Sequence, residues 1–464
     1  MSLAATLTLN AYTGDTVPVS GALAPAANRW GSKGNLLRRQ QTLAPADEAL
    51  LADWEHPDVG WGLVLADRDD VSPADKARGL DAPAPVRDLL AARADAPVLR
   101  YRPDLDDEKL ARYFEDGSRQ DPEIGLSDFG VAKGRLPLYL LIVGSPGEVP
   151  WRLQFALNRR HHVGRLDLPE PGLRRYVDAL LSGWEDQDSD VGHALVWSVG
   201  FDDITRTMDA TVAKVVADAM GKDDELTVTR LEGPAATCQA LVDALAAHRP
   251  SVVVSSSHGK TGPLGKTDEM RASLGLPVDD DRTTLVVETL LAAWQPAGAI
   301  WYAQACCSAG SNDGTSYDGL LEPGSLADQV TRAVGELGAA VAPLPTALLG
   351  AEKPLRAFVG HVEPTFDWTL VQQDTGQFLT AGLTEAWYPA LYRRKPLGLA
   401  LDEHYRGVGE LYAKLTSALD DVALMKDGAR DRATYFRLTA TDRQGLVVLG
   451  DPTVMVPPLP SQRD

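Results

Sequence analysis

Ser251-Val252-Val253-Val254-Ser255-Ser256-Ser257-His258-Gly259 and Ala299-Ile300-Trp301-Tyr302-Ala303-Gln304-Ala305-Cys306-Cys307-Ser308-Ala309-Gly310 are the two stretches that decide the fold. Each opens as a short apolar run of strand length and closes in a loop of small residues. Such runs read as strands buried on both faces, the habit of a parallel sheet. The first ends on a histidine and the second on a cysteine, 48 positions later. Ligands of open α/β sheets gather outside the carboxyl ends of the strands. If the two strands are neighbours, an imidazole and a thiol meet at one rim, which is equipment for nucleophilic catalysis by cysteine.

The flanking sequence alternates between the two periods. From residue 192 it reads as strand (193–199), helix (apolar Met208, Val212, Val215, Val216 and Ala219), strand (226–229), helix (235–247) and then the His258 strand. A helix over 283–294 leads into the Cys306 strand. Ser325 caps the next helix, and a short strand is expected at 339–342. Asp202 or Asp203 can cap the first helix, because a carboxylate there accepts the free N–H groups of the opening turn. This alternation implies a mostly parallel sheet covered by helices. Further on, residues 345–400 look like an irregular lobe, 407–424 like a helix, and 445–450 like a closing strand. Upstream, 136–143 reads as a buried strand, and 1–130 carry few periodic signals. The expected organisation is an N-terminal region over 1–190, a companion or regulatory subdomain, and a catalytic domain over 191–464.

Composition narrows the function. The 464 residues carry a net charge of −20 with 44% hydrophobic residues. A nucleic-acid binder needs a basic surface to displace counterions, so that class is excluded. No run approaches the roughly 18 apolar residues of a membrane helix. The first residues, Met1 to Thr6, offer neither a basic stretch nor a long apolar core, so no secretory signal is expected. Three cysteines, Cys238, Cys306 and Cys307, do not make a disulfide framework. A reducing cytoplasm is the expected setting. The histidines show no metal-ligand spacing, and no cofactor is expected. Gly259-Lys260-Thr261 and Gly265-Lys266-Thr267 mimic the end of a phosphate-binding loop, but the glycine required five residues earlier is absent from both.

Ser257-His258-Gly259 together with Gln304-Ala305-Cys306 resembles the caspase-like (clan CD) cysteine peptidases. Their signature is Gln-Ala-Cys-[Arg/Gln/Gly]-Gly with the histidine about 50 residues upstream. Cys307-Ser308 departs from it. Ala305-Cys306-Cys307-Ser308-Ala309-Gly310 is closer to the bacterial gingipain-like and CHAT-type branch, and Leu449-Gly450-Asp451-Pro452 is similar to a turn that closes many gingipain-like catalytic domains. The resemblance covers roughly residues 190–455. It implies a caspase-like three-layer sandwich and an endopeptidase acting on protein substrates, in which His258 moves the proton and Gly259 N–H helps bind the oxyanion. Alignment on Ala-Cys picks Cys306 as nucleophile; alignment on a later glycine picks Cys307. Bacterial relatives of this type serve as effectors switched by a protein partner. Asp313 and Asp318, in the loop after the cysteines, are candidates to select a basic substrate side chain. The alternative is a catalytically silent scaffold of the same fold that works by binding.

Overall fold

The computed structural model describes residues 4–14, 18–32, 48–93, 96–185, 188–372 and 375–462. Strands are numbered along the chain. The N-terminal region supplies β1 (Thr6–Leu9), β2 (Ala11–Tyr12), β3 (Val19–Ala22), β4 (Trp61–Ala66), β5 (Val98–Tyr101), β6 (Ala111–Tyr113), β7 (Arg119–Gln120), β8 (Tyr139–Val143) and β9 (His162–Leu166). There follow β10 (Asp190–Ser198), β11 (Thr227–Glu232), β12 (Pro250–Ser256), β13 (His258–Lys260), β14 (Pro277–Val278) and β15 (Ile300–Gln304). The last are β16 (Gly310–Ser311), β17 (Ala340–Val341), β18 (Ala357–His361) and β19 (Leu446–Gly450).

Twelve of these form one mostly parallel sheet in the order β11-β10-β12-β15-β18-β19-β9-β8-β4-β5-β6-β7. Antiparallel pairing enters at β18–β19 and at the β5–β6–β7 end. The expected alternation holds over residues 190–341. The five expected strands there (β10, β11, β12, β15 and β17) lie within a few residues of their sequence reading, as does the helix Leu326–Glu336, capped by the Ser325 hydroxyl, whereas the short β13, β14 and β16 are not part of that reading. Every residue of β12 and β15 is buried, so both faces of the sheet centre are covered. Val252, Val253, Val254, Ile300, Trp301 and Tyr302 are wholly inaccessible.

Two features depart from the sequence reading. The region read as an irregular lobe contains β18, a central strand of the sheet. The sheet also crosses position 190 without a break, because β9 pairs with β19 in parallel register. A buried ion pair sits at this joint. Asp451, fully inaccessible in the turn after β19, accepts hydrogen bonds from Trp61 Nε1 (3.0 Å) and Arg93 Nη1 (3.1 Å). The Arg93 guanidinium lies 4.4 Å from the ring centres of both Trp54 and Trp61. Gly164 makes the close packing feasible, since a Cβ there would stand 1.9 Å from the Gly450 oxygen.

Removing one member of a buried pair strands the other charge in a low dielectric. Arg93→Leu is therefore expected to lower stability by about 3 kcal/mol in urea unfolding. Adding Asp451→Asn to it should recover part of that loss.

Candidate active site

The topology reverses between β10 and β12. From β10 the chain goes to β11 on one side, and from β12 it goes to β15 on the other. Such a switch point leaves a crevice outside the carboxyl ends of the strands. Three loops meet there. The one after β10 carries Asp202, the one after β12 carries His258, and the one after β15 carries Cys306.

Asp202 has two jobs. It opens the helix Asp203–Met208, where its Oδ1 accepts the Thr205 N–H (2.9 Å) in a reciprocal capping box. Its Oδ2 lies 2.6 Å from His258 Nε2. Burial raises the Asp202 carboxyl, but the hydrogen bonds from His258 and Thr205 outweigh it and hold the group below the usual carboxylate range. The Asp202 carboxylate therefore fixes the imidazole ring and its tautomer, with the proton on Nε2. His258 is completely buried, with the Phe201 ring 5.2 Å away between centroids. Its Nδ1 has no hydrogen-bond partner among the described residues. Sequence reasoning saw Asp202 only as a helix cap. The available signal was its place at the carboxyl end of the strand beside the histidine strand.

The cysteine loop packs directly on the histidine loop. A Cβ on Gly259 would lie 1.9 Å from the Cys306 carbonyl oxygen, so only glycine permits this approach. The Cys306 sulfur accepts the Thr365 N–H at 3.1 Å. Cys307 takes a left-handed φ of 55°, and its N–H donates to the Glu363 carbonyl (3.0 Å). Ser308 occupies the place where the resembled signature has glycine. Its hydroxyl is 2.9 Å from the Ala305 carbonyl and accepts the His361 N–H (2.9 Å), which ties the loop to β18. Gly360 leaves the space for it. Both thiols are wholly buried. Burial pushes the Cys306 thiol up to about 12 against the opposing pull of Thr365, and drives Cys307 well above its ordinary value.

The Gly259 N–H, the expected oxyanion donor, faces the Asn10 carbonyl at 3.4 Å. Asp313 and Asp318 lie apart from the His258–Asp202 bond. Asp318 is exposed and pairs with Arg332 (2.9 Å), and Asp313 is exposed with its N–H on the Asn312 side chain. A buried acid next to the cysteine loop is instead Glu363, which the sequence reading did not single out. It accepts the Ser316 N–H (2.9 Å) and hydroxyl (2.6 Å), and burial raises its carboxyl. No helix of the described residues is long and apolar enough to cross a membrane.

Comparison with protein-family models and with curated proteins gives no match.

Behind Thr365, the Phe366 N–H donates to the buried Asp442 carboxyl (3.3 Å). Burial raises Asp442 to about 7; Thr369, the Phe366 N–H and Arg443 pull it down, while Asp367 pushes it up. The folded chain thus keeps this proton between about pH 4 and pH 7, where the unfolded chain has lost it. Stability contributed by this group falls as pH rises through that window. Asp442→Asn is expected to raise stability at pH 8 by roughly 4 kcal/mol and to change it little at pH 4, as read by urea midpoints.

Proposed function

We propose that this chain is a caspase-like cysteine endopeptidase with the catalytic groups Cys306 and His258, positioned by Asp202. One observation carries the reading: His258 spends Nε2 on the partly buried Asp202 carboxylate and keeps Nδ1 unpartnered among the described residues, beside a glycine in backbone contact with Cys306. A base oriented by a third group and placed next to a nucleophile is the general signature of covalent acyl transfer.

In this reading the Cys306 thiol gives its proton to His258 Nδ1, and the sulfur attacks the scissile carbonyl carbon. Asp202 stabilises the imidazolium through Nε2–H. The Gly259 N–H supports the oxyanion. The imidazolium returns the proton to the leaving amine. Water, deprotonated by the same imidazole, then attacks the thioester and frees the carboxylate and the thiol. Cys306 is preferred over Cys307 because it is the cysteine whose backbone touches Gly259 and whose sulfur faces Thr365. A caspase-like catalytic domain with an N-terminal companion region, in a reducing cytoplasm with a regulatory protein partner, fits this activity. The burial of both thiols favours a second reading, a silent scaffold of the same fold.

Asp202→Asn separates the two. Asparagine still caps the helix but cannot hold an imidazolium. With a protein substrate such as casein, Cys306→Ala is expected to abolish cleavage, and Asp202→Asn to lower kcat by about 100-fold with KM little changed. Full cleavage by Cys306→Ala would sink the assignment. Absence of cleavage by the natural chain under every activating condition, with no reactive thiol, would leave the scaffold.

A further inference from the structure

Residues 8–13 cross the rim between its two sides. Asn10 N–H donates to the Thr365 carbonyl (3.0 Å), and Leu9 bridges Phe366 in antiparallel sense. From there β2 runs parallel to β13, with Ala11 opposite Gly259 and Tyr12 opposite Lys260. The Asn10 carbonyl faces the Gly259 N–H (3.4 Å), and the Tyr12 carbonyl accepts the Thr261 N–H (3.0 Å). Leu7, Leu9 and Ala11 share one apolar cluster with Cys306 and Cys307. The segment therefore passes the cysteines as two short strands, β1 and β2, joined by a bend at Asn10 and hydrogen-bonded on both sides.

The same region clamps the loop that follows the cysteines. Trp30 Nε1 donates to the Ser316 carbonyl (3.0 Å), Ala24 N–H to the Leu320 carbonyl (3.0 Å), and Glu322 N–H to the Ala22 carbonyl (2.8 Å). One flaw marks the fit. Asn10 is 1% exposed, yet neither polar atom of its carboxamide has a partner among the described residues. An orphaned buried carboxamide costs free energy, which lowers the work of unseating the strand.

We propose that residues 6–12 are a built-in cover that occupies the substrate path, with the Asn10 carbonyl where the scissile carbonyl of a peptide would lie. The cover is a regulatory device: the site takes an extended peptide by strand addition between Thr365–Phe366 and Gly259–Thr261, and opens to it only when this strand leaves. The proposal rests on the peptidase reading for what the path is for, but not for the existence of the cover.

The test measures alkylation of Cys306 by iodoacetamide, read by mass spectrometry, with the half-exposed Cys238 as internal reference. Leu7→Asp combined with Leu9→Asp places two charges in the cluster and should unseat the strand. Cys306 labelling should then rise at least tenfold over Cys238, and excess synthetic peptide of residues 4–13 should slow it again. Unchanged labelling, or no protection by the peptide in a folded variant, overturns the cover. If the variant does not fold, hydrogen exchange on the natural chain decides. Amides of residues 6–12, Gly259 and Thr261 should open together, ahead of β12 and β15; exchange only together with those strands overturns the proposal. Casein cleavage separates the two readings. Labelling that rises in the variant and is slowed by the peptide, without cleavage, keeps the cover and removes the peptidase, whereas equal cleavage by the natural chain and the variant keeps the peptidase and removes the cover.

Discussion

The register of β12 against β15 sets everything else at the rim. Ser256 pairs with Gln304, so His258 and Cys306 each stand two residues beyond the same rung. A slip of one residue would turn every side chain of a strand to the opposite face. Here both faces are buried, so a slip would also exchange large residues for small ones across a close-packed interior. Trp301 adds a polar lock, donating its indole N–H to the Ser255 hydroxyl (2.8 Å) inside that interior. The contact of Gly259 with the Cys306 backbone then follows from the register, given a residue without a Cβ.

That precision sits beside a chemical contradiction. A nucleophilic cysteine works as thiolate, favoured by nearby cations and exposure. Cys306 has neither in this structure. A thiol pushed up to about 12 is ionised to about one part in 10⁵ at pH 7. Meanwhile the groups that would activate it are in place: Asp202 is held ionised and hydrogen-bonded to His258. On the peptidase reading, such a site is that of a latent enzyme: the base is oriented, the nucleophile is silenced by burial, and activation would require exposure of one sulfur rather than repositioning of three residues.

The legible parts of the chain are those where one period dominates. Apolar runs of strand length located β12 and β15, and the small residues after them located His258 and Cys306. The remainder depends on contacts that leave no local signature. Asp202 is a good helix cap in any context, and its second role arises only because β10 lies beside β12. Thr365 and Glu363 fall in a stretch rich in proline, which hid the five-residue β18 just before them. β2 is two residues long and has no period to read, yet it lies against the histidine loop. Acidity near the cysteine loop was legible but misplaced, since Asp318 answers to Arg332 while the buried Glu363 comes from another segment.

If residues 6–12 act as a cover, the contrast in anchoring accounts for a rigid rim beneath a movable segment. Asp202, His258 and Cys306 each follow a central strand whose neighbours lie on both sides, so their backbone is fixed by the most stable part of the sheet. The pairing that holds residues 11–12 against the histidine loop is short: two residues in β2 against three in β13, outside the main sheet. Short elements with few cross-strand bonds belong to the low end of local stability, and long buried strands to the high end. Opening can therefore proceed at the edge without loosening the rim. The unpartnered Asn10 carboxamide lies in that weaker part, where an imperfect fit costs the rigid sheet nothing.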